Sequence, residues 1–296
     1  MSGARPRASL IYNPNAGRRR HARTIEEIKA ALATAYELGI APTRGPRDAI
    51  DLARDAATRG DAAVFAWGGD GTIREVVEGI LGSPVMLGVL PGGTFNVIPS
   101  AIGLPRDPVE AAKALAIAKP SRRDVGLIEK TPFLMQATAG LDAFIMHNAR
   151  SDMKARFGMA GVFFDAFRVF ASYRFPRFEV EVDGDVIEVT GAAFVNMTEY
   201  AGRYHFVPGA RWDDGLAHAL LYTGRTHLKA VLFAISLGLG RHHRRPEVII
   251  RPATSMTIRP TPSLCLQTDG DPWRGTLPAT CRLAADRIQV LIPTAK

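Results

Sequence analysis

The fold of this chain is decided by a stretch that reads Ala62-Ala63-Val64-Phe65-Ala66-Trp67-Gly68-Gly69-Asp70-Gly71-Thr72. Its first six residues form a continuous apolar run, which is typical of a strand buried on both faces of a parallel sheet. The glycines after it predict a tight turn, because glycine adopts positive φ without steric cost. Apolar spacing over residues 73–81 then predicts a helix, whose N-terminal N–H groups attract anions. The stretch therefore predicts a phosphate-binding turn; the alternative is an ordinary tight turn.

The segments on both sides continue this alternation of strands and helices. Predicted strands are residues 8–12, 40–43 and 85–90, and predicted helices are residues 24–38 and 47–59. Such alternation is typical of a parallel sheet covered by helices. We therefore predict an α/β N-terminal domain with a parallel sheet over residues 1–128.

The pattern changes after residue 128. Residues 178–189 alternate apolar and polar side chains around Asp183-Gly184, which predicts a hairpin. Further predicted strands are 191–196, 217–222, 255–258, 264–268 and 287–292, and predicted helices are 153–173 and 226–239. We predict a mainly antiparallel β C-terminal domain over residues 129–286. The sequence leaves open whether the last strand, about residues 287–293, belongs to this domain or returns to the first one.

Two more turns follow predicted strands of the first domain. One reads Leu90-Pro91-Gly92-Gly93-Thr94-Phe95-Asn96 and the other reads Asn13-Pro14-Asn15-Ala16-Gly17, with arginines at 18–20 behind it. Because ligands bind at the carboxyl edge of open α/β sheets, we expect all three turns to lie together at that edge. Taken singly, each is also explained as a turn with a helix cap.

The composition favours an intracellular protein with anionic partners. The chain has 296 residues, 47% of them hydrophobic, and a formal net charge of +8. Such a charge suits nucleotides or an anionic membrane surface, and a solvated basic surface is the alternative; no recognised nucleic-acid module accompanies it. Cys265 and Cys281 form neither a zinc cluster nor a disulfide framework, which favours a reducing compartment. The longest apolar stretch, residues 230–240, is shorter than the roughly 20 residues a membrane span needs. We therefore expect a cytoplasmic protein that meets the inner membrane surface peripherally.

At its three turns the sequence resembles the diacylglycerol kinase catalytic-domain family, which includes bacterial soluble lipid kinases and sphingosine kinases. The Gly-Gly-Asp-Gly-Thr signature is shared with NAD kinases and phosphofructokinases, so the resemblance implies their type of N-terminal fold. It also implies phosphorylation of a lipid hydroxyl by ATP with Mg²⁺, with the lipid diacylglycerol or a related one. The implied ATP contacts are Asn13, Pro14, Asn15, Ala16, Gly17, Thr43, Gly68, Gly69, Asp70, Gly71, Thr72, Gly93, Thr94 and Asn96. Thr43 rests only on its position after the second predicted strand.

The resemblance extends to two motifs of the second half. Residues 208–216 resemble a family motif that holds a structural cation, which implies Mg²⁺ or Ca²⁺ at Asp214 and at the carbonyls of Arg211 and Leu216; an Asx turn is the alternative. Asp269-Gly270-Asp271 resembles the family's Asp-Gly-Glu, whose last acid is the proton acceptor. Asp271 is one methylene shorter than that Glu, so either Asp269 or Asp271 is the candidate base, and a plain hairpin turn is the alternative. Asp70 is the nearest candidate carboxylate for Mg²⁺ in catalysis, and these groups are expected to meet across an interdomain cleft.

Two segments have the composition of lipid-contacting surfaces. The apolar run over residues 157–170 suits an acyl pocket or a membrane interface, or equally a helix packed in a core. The basic cluster over 241–245 suits anionic headgroups or a solvated loop.

The sequence leaves the oligomeric state open, with a homodimer as one option. The alternatives to a lipid kinase are a non-catalytic nucleotide- or lipid-binding homologue and a kinase of a soluble substrate such as NAD.

Overall fold

The structure is a computed structural model that describes residues 4–14, 21–148, 164–200 and 204–294. The chain forms two compact units, the first made of Met1–Val125, Glu199–Arg203 and Ala284–Lys296, the second of Gly126–Thr198 and Tyr204–Leu283. The sequence placed the first boundary at residue 128. Strand Gly126–Ile128 pairs with Ala279–Leu283 inside the second unit, and this pairing moves the boundary to Val125.

The first unit is built on one six-stranded sheet. Its strands, numbered in chain order, are β1 (Arg7–Tyr12), β2 (Glu37–Pro42), β3 (Ala63–Gly68), β4 (Met86–Pro91), β5 (Lys119–Arg123) and β20 (Ile288–Ile292). The sheet order is β2-β1-β3-β4-β20-β5. The first four strands are parallel, which confirms the predicted parallel sheet, and β20 pairs parallel with β4 and antiparallel with β5. The last strand of the chain therefore belongs to the first unit.

Five helices accompany this sheet in the described part of the unit. They are α1 (His21–Leu32), α2 (Asp48–Thr58), α3 (Asp70–Ile80), α4 (Val97–Ala101) and α5 (Pro108–Ala116). The prediction that the first helix continues to residue 38 is wrong, because Glu37 already pairs with Arg7 in the sheet. The predicted start of α3 at residue 73 is also wrong. The helix begins at Asp70, so part of the glycine turn is its first helical turn.

The second unit is a sandwich of two antiparallel six-stranded sheets. Its strands are β6 (Gly126–Ile128), β7 (Thr131–Phe133), β8 (Gln136–Gly140), β9 (Phe178–Val182), β10 (Asp185–Val189), β11 (Gly191–Val195), β14 (Ala217–Tyr222), β15 (Val248–Ala253), β16 (Ser255–Ile258), β17 (Leu266–Thr268), β18 (Asp271–Trp273) and β19 (Ala279–Leu283). The sheets run β10-β9-β16-β19-β6-β7 and β15-β14-β11-β8-β17-β18. Val180 and Met256 of one sheet share a hydrophobic core with Phe194 and Leu221 of the other. The antiparallel prediction is confirmed, as is the hairpin of β9 and β10.

The remaining elements lie outside the two sheets of the sandwich. They are α6 (Leu141–Asn148), the helical residues 164–172 (α7), α8 (His227–Gly238), a 3₁₀ helix (His242–Arg244) and the short strands β12 (Glu199–Tyr200) and β13 (Tyr204–His205). The predicted helix 226–239 is therefore present as α8. Of the predicted helix 153–173, residues 153–163 lie outside the described residues. None of the helices in the described ranges has the length and apolar character needed to cross a bilayer.

Candidate functional site

The predicted turns of the first unit lie together at the carboxyl edge of its sheet. The register pairs Tyr12 with Trp67 and Gly68 with Pro91, so β1, β3 and β4 end side by side. The Asn13 N–H donates to the Trp67 carbonyl at 3.2 Å, and the Thr43 N–H donates to the Tyr12 carbonyl at 2.9 Å. The structure thus brings Asn13 and Thr43 to the same edge as the two glycine turns. Asn15, Ala16, Gly17 and the arginines at 18–20 lie outside the described residues.

The two glycine turns contact each other backbone to backbone. The Gly92 N–H donates to the Gly68 carbonyl at 3.0 Å. A Cβ on Gly93 would lie 2.6 Å from the Gly69 Cα, and a Cβ on Gly92 would lie 3.0 Å from the Gly68 Cα. Such distances leave no room for a side chain on Gly93. These glycines are therefore required by packing, independently of any ligand.

Asp70 links the two turns through its side chain. It is the first residue of α3, and its Oδ2 accepts from the Val97 N–H at 3.2 Å while its Oδ1 accepts from the Ile98 N–H, also at 3.2 Å. The carboxylate thus binds the first amides of α4, the helix that follows the second turn. The sequence offered Asp70 as a metal ligand, an orienting group and an ATP contact, but no local pattern shows that α4 begins beside it. Carboxylate oxygens are ligands that Mg²⁺ prefers, so the chemistry of this side chain suits that cation.

Asn96 and Thr72 contribute mainly to the shape of their turns. The Asn96 backbone is left-handed with φ of 49°. Its Oδ1 accepts from the Gly93 N–H at 2.7 Å, and its Nδ2 donates to the Gly93 carbonyl at 3.0 Å. Both ends of this amide thus close the second turn. Thr72 lies in the first turn of α3 with Gly71, and its Oγ1 would be 2.6 Å from a Cβ on Gly68. Thr94 is exposed beside Gly93.

The acidic motif of the second unit is a two-residue hairpin turn. Asp269 and Gly270 connect β17 to β18 with φ of 51° and 88°, as a type I′ turn requires. Asp269 is only 6% exposed. Its carboxylate accepts from three backbone N–H groups, those of Leu134 at 2.7 Å, Met135 at 2.8 Å and Gln136 at 3.1 Å. Asp271, in contrast, is half-buried and opens β18.

Gln267 supports this hairpin from the strand before it. Its Oε1 accepts from the Gly270 N–H at 2.7 Å. Its Nε2 donates to Thr138 Oγ1 at 2.8 Å and to Asp142 Oδ2 at 2.7 Å. The side chain therefore fixes the turn to β8 and α6. Sequence reasoning missed this residue, because a glutamine in a short strand carries no distinctive pattern.

The predicted cation turn lies on the surface of the second unit. Asp214 is exposed and its Oδ1 accepts from the Leu216 N–H at 3.0 Å, which is the geometry of an Asx turn. The Arg211 guanidinium pairs with Asp213 at 3.0 Å. Asp214 nevertheless keeps its other carboxylate oxygen, and oxygen ligands of this kind suit Mg²⁺ or Ca²⁺. Within the described residues, no three His, Cys, Asp or Glu side chains cluster as metal ligands.

His218 is a titratable residue of β14, two positions after Leu216 of this turn. Burial lowers the pKa of His218, and the negative charge of Asp214 opposes that shift. Because desolvation dominates, the imidazole favours its neutral form. His218 therefore adds no positive charge beside Asp214 when it is neutral.

Comparison with known proteins shows similarity along most of the chain. The diacylglycerol kinase catalytic domain model matches residues 7–128, and the YegS C-terminal NAD kinase beta sandwich-like domain matches residues 136–292. A diacylglycerol kinase of Staphylococcus aureus (strain bovine RF122 / ET3-1) is 29% identical over 295 residues, covering 98% of this chain and 93% of that relative. A diacylglycerol kinase of Staphylococcus haemolyticus (strain JCSC1435) is 29% identical over 292 residues, covering 97% and 88%.

The fold is shared with solved structures. A crystal structure of a diacylglycerol kinase from Bacillus anthracis str. Sterne superposes with a TM-score of 0.79 and covers 98% of this chain and 97% of that one. Its sequence identity is 23%. The superposition confirms the two-unit architecture, an α/β unit followed by a β sandwich.

Proposed function

The chain belongs to the diacylglycerol kinase catalytic-domain family, and from this premise we propose that it is a lipid kinase that transfers the γ-phosphate of ATP to a lipid hydroxyl. Diacylglycerol or a related lipid is the acceptor. The observation that carries the proposal is the pair of glycine turns packed against each other at the carboxyl edge of a parallel sheet. Phosphoryl transfer depends on positioning and charge neutralisation, and backbone N–H groups at such an edge supply both.

In this proposal the first unit binds the nucleotide. The α3 N-terminus offers backbone N–H groups to the phosphates, and Gly68, Gly69 and Gly93 keep side chains out of the way. Mg²⁺, when bound, would neutralise the developing charge on the phosphate oxygens. Asp70, the carboxylate at the start of α3, would hold it. Asn13 and Thr43 lie at the same edge and are the further proposed nucleotide contacts.

The structure supports Asp271, of the two candidate acids, as the proton acceptor. A general base must reach the substrate hydroxyl and accept its proton. Asp269 is nearly buried and its carboxylate already accepts three backbone hydrogen bonds, which favour its ionised form and fix its position. We therefore assign Asp269 to the shape of the hairpin and Asp271 to proton transfer. The hydrogen bonds of Gln267 keep this hairpin in place.

Two further parts of the proposal concern cations and the surroundings. A structural Mg²⁺ or Ca²⁺ would bind the Asp214 carboxylate and the carbonyls of Arg211 and Leu216. This part is tested by measuring whether chelation lowers the thermal stability of the protein and whether Asp214→Ala removes that effect.

We also propose that the protein is cytoplasmic and works at the inner membrane surface, because its nucleotide is dissolved in water and its acceptor is a lipid.

The proposed activity is tested by giving the purified protein Mg²⁺ and ATP labelled at the γ-phosphate together with a panel of acceptors. The panel contains diacylglycerol, a sphingoid base, a monoacylglycerol and NAD. We expect label in the organic phase with at least one lipid. Label on NAD alone would identify a kinase of a soluble substrate. ATP binding without any labelled product, unchanged by Asp271→Glu, would identify a non-catalytic homologue.

A further inference from the structure

Helix α8 exposes a continuous apolar stripe. Leu228 is 69% exposed, Ile235 is 55% exposed and Leu239 is 67% exposed, with Val231 and Leu232 between them at 42% and 39%. Counted from Leu228, the other four follow at three, four, seven and eleven residues, which places all five on one side of the helix. Large aliphatic side chains gathered in this way mark an interaction surface, whereas a single one would not.

The opposite side of α8 is already packed. Ala230 and Leu237 are buried, and the Phe233 ring contacts the rings of Tyr222 and His242 with centroids 5.2 Å and 5.9 Å apart. The helix is therefore held by the second unit through this side. Because the stripe lies on the other side, it is not part of that core.

The surroundings of the stripe are basic. The sequence contains no acidic residue between Asp214 and Glu247. Lys229 lies on the exposed surface of α8, and Arg241 and Arg244 are exposed just after it. The Arg241 N–H donates to the Ser236 carbonyl at 2.7 Å, so the chain folds back and keeps these arginines at the C-terminal end of the helix. Cationic side chains thus lie near both ends of the apolar stripe.

We propose that this α8 surface, made of Leu228, Val231, Leu232, Ile235, Leu239, Lys229, Arg241 and Arg244, docks the protein onto an anionic lipid bilayer. Aliphatic side chains on one side of a helix enter the boundary between headgroups and acyl chains when the helix lies in the membrane plane. Lysine and arginine beside them bind the anionic headgroups. The charge of the surface thus complements that of its partner.

A neighbouring helix adds aromatic side chains to the same region of the unit. His227, the first residue of α8, contacts Phe170 of α7 with ring centroids 5.0 Å apart. Phe164 and Phe167 of α7 are 66% and 67% exposed. Phenylalanine is common at the apolar side of interfacial helices.

A second copy of this chain is the other candidate partner. A symmetric contact would bring Lys229 and the arginines of both copies together, and these like charges would repel each other.

The proposal is tested by flotation of the full-length protein with lipid vesicles. One set contains equal parts phosphatidylglycerol and phosphatidylcholine, and the other contains phosphatidylcholine alone. We expect the protein to float with the anionic vesicles and to remain largely unbound with the neutral ones. Ile235→Glu should lower the partition coefficient about tenfold or more, because it places a carboxylate in the apolar stripe. Ile117→Glu is the matched control, since Ile117 is 72% exposed in the first unit, and it should bind like the wild type.

Leu239→Glu, at an exposed position just after the helix, repeats the test in case Ile235→Glu unfolds. Equal flotation of wild type and both α8 variants would overturn the proposal. Absence of flotation together with a dimer that Ile235→Glu dissociates would assign the surface to a second copy instead. The assay contains neither ATP nor acceptor lipid, so its result is independent of the proposed kinase activity.

Discussion

Asp269 and Asp271 are two residues apart and occupy different chemical environments. Asp269 is buried and accepts three backbone N–H bonds, whereas Asp271 begins the next strand and is half-buried. A local string of Asp-Gly-Asp contains no information on this difference. The three donors come from residues 134–136, more than 130 positions earlier in the sequence, and only the sheet order brings them to the turn.

Substitution of the two acids separates a structural role from a catalytic one. Asp269→Asn is expected to destabilise the protein by about 1–3 kcal/mol, because an amide offers one acceptor oxygen to three donors. Asp271→Asn, at a half-buried position, should cost less stability than Asp269→Asn and should lower turnover by a factor on the order of 10² or more, as loss of a general base does. Urea unfolding and lipid-kinase rates measure the two effects. Normal turnover in Asp271→Asn would refute the assignment.

Asp61 provides a second test at the scale of one residue. It is buried, and its carboxylate accepts from Arg7 Nε and from Ser9 Oγ, each at 2.6 Å. Burial acts to raise the pKa of Asp61, but the hydrogen bonds from Ser9 and Arg7 and the charges of Arg59 and Arg7 outweigh it, so the pKa is lowered. A lowered pKa stabilises the fold above the pKa of the unfolded chain, about 4, and that stabilisation is lost as the pH falls further.

Asp61→Asn is therefore expected to cost about 2–3 kcal/mol at neutral pH. The difference from wild type should stay constant from pH 7 to about 5 and shrink below about 4, where the Asp61 carboxylate of the unfolded wild type becomes protonated while that of the folded protein is still ionised. Denaturant unfolding across this pH range measures it. A difference that grows on acidification would contradict the pKa shift.

At the scale of elements, the sequence predicts turns better than it predicts the contacts between them. The strings around Gly68 and Gly92 indicated two phosphate-binding turns, because glycine is required wherever a backbone approaches a phosphate closely. That the turns pack on each other follows from the adjacency of β3 and β4, which no local pattern contains. The strands β5 and β15 were missed for a related reason. Lys119–Arg123 is largely polar, and Val248–Ala253 contains a proline and an arginine.

The contact between the glycine turns makes a sharp prediction for Gly93→Ala. The added Cβ would meet the Gly69 Cα at 2.6 Å, so one turn must shift. We expect the affinity for Mg-ATP to fall about tenfold or more, since positioned N–H groups lose their alignment. Gly45→Ala is the matched control, because a Cβ there meets nothing within 4 Å. Calorimetric titration measures both, and equal affinities would show that the turns do not hold the nucleotide.

At the scale of the whole molecule, one strand, β20, lies in a different unit from the strands that directly precede it in the sequence. The sequence divides into an α/β half and a β-rich half, and that division was predictable from the change in periodicity. The return of β20 to the first sheet was not decided, because a short apolar strand fits any sheet that has a free edge. Its parallel pairing with β4 means that residues 288–292 complete the sheet of the first unit.

The function proposed for the molecule as a whole requires the nucleotide turns and an acceptor lipid in one reaction. Asp70 is the residue on which this requirement is tested best. Its substitution by Asn keeps an oxygen that accepts from an α4 amide and removes the charge that would hold Mg²⁺. The variant is therefore expected to fold and to fail in catalysis.

The most direct measurement is the rate at which γ-labelled phosphate from Mg-ATP appears in extracted lipid, for wild type and for Asp70→Asn, with thermal unfolding recorded for both to show that the variant is folded at the assay temperature. We expect labelled lipid with the wild type and a rate lower by a factor on the order of 10² or more in the variant. Label at equal rates in both proteins would remove Asp70 from the mechanism. No labelled lipid with the wild type, while a control lipid kinase labels the same acceptors, would contradict the account as a whole.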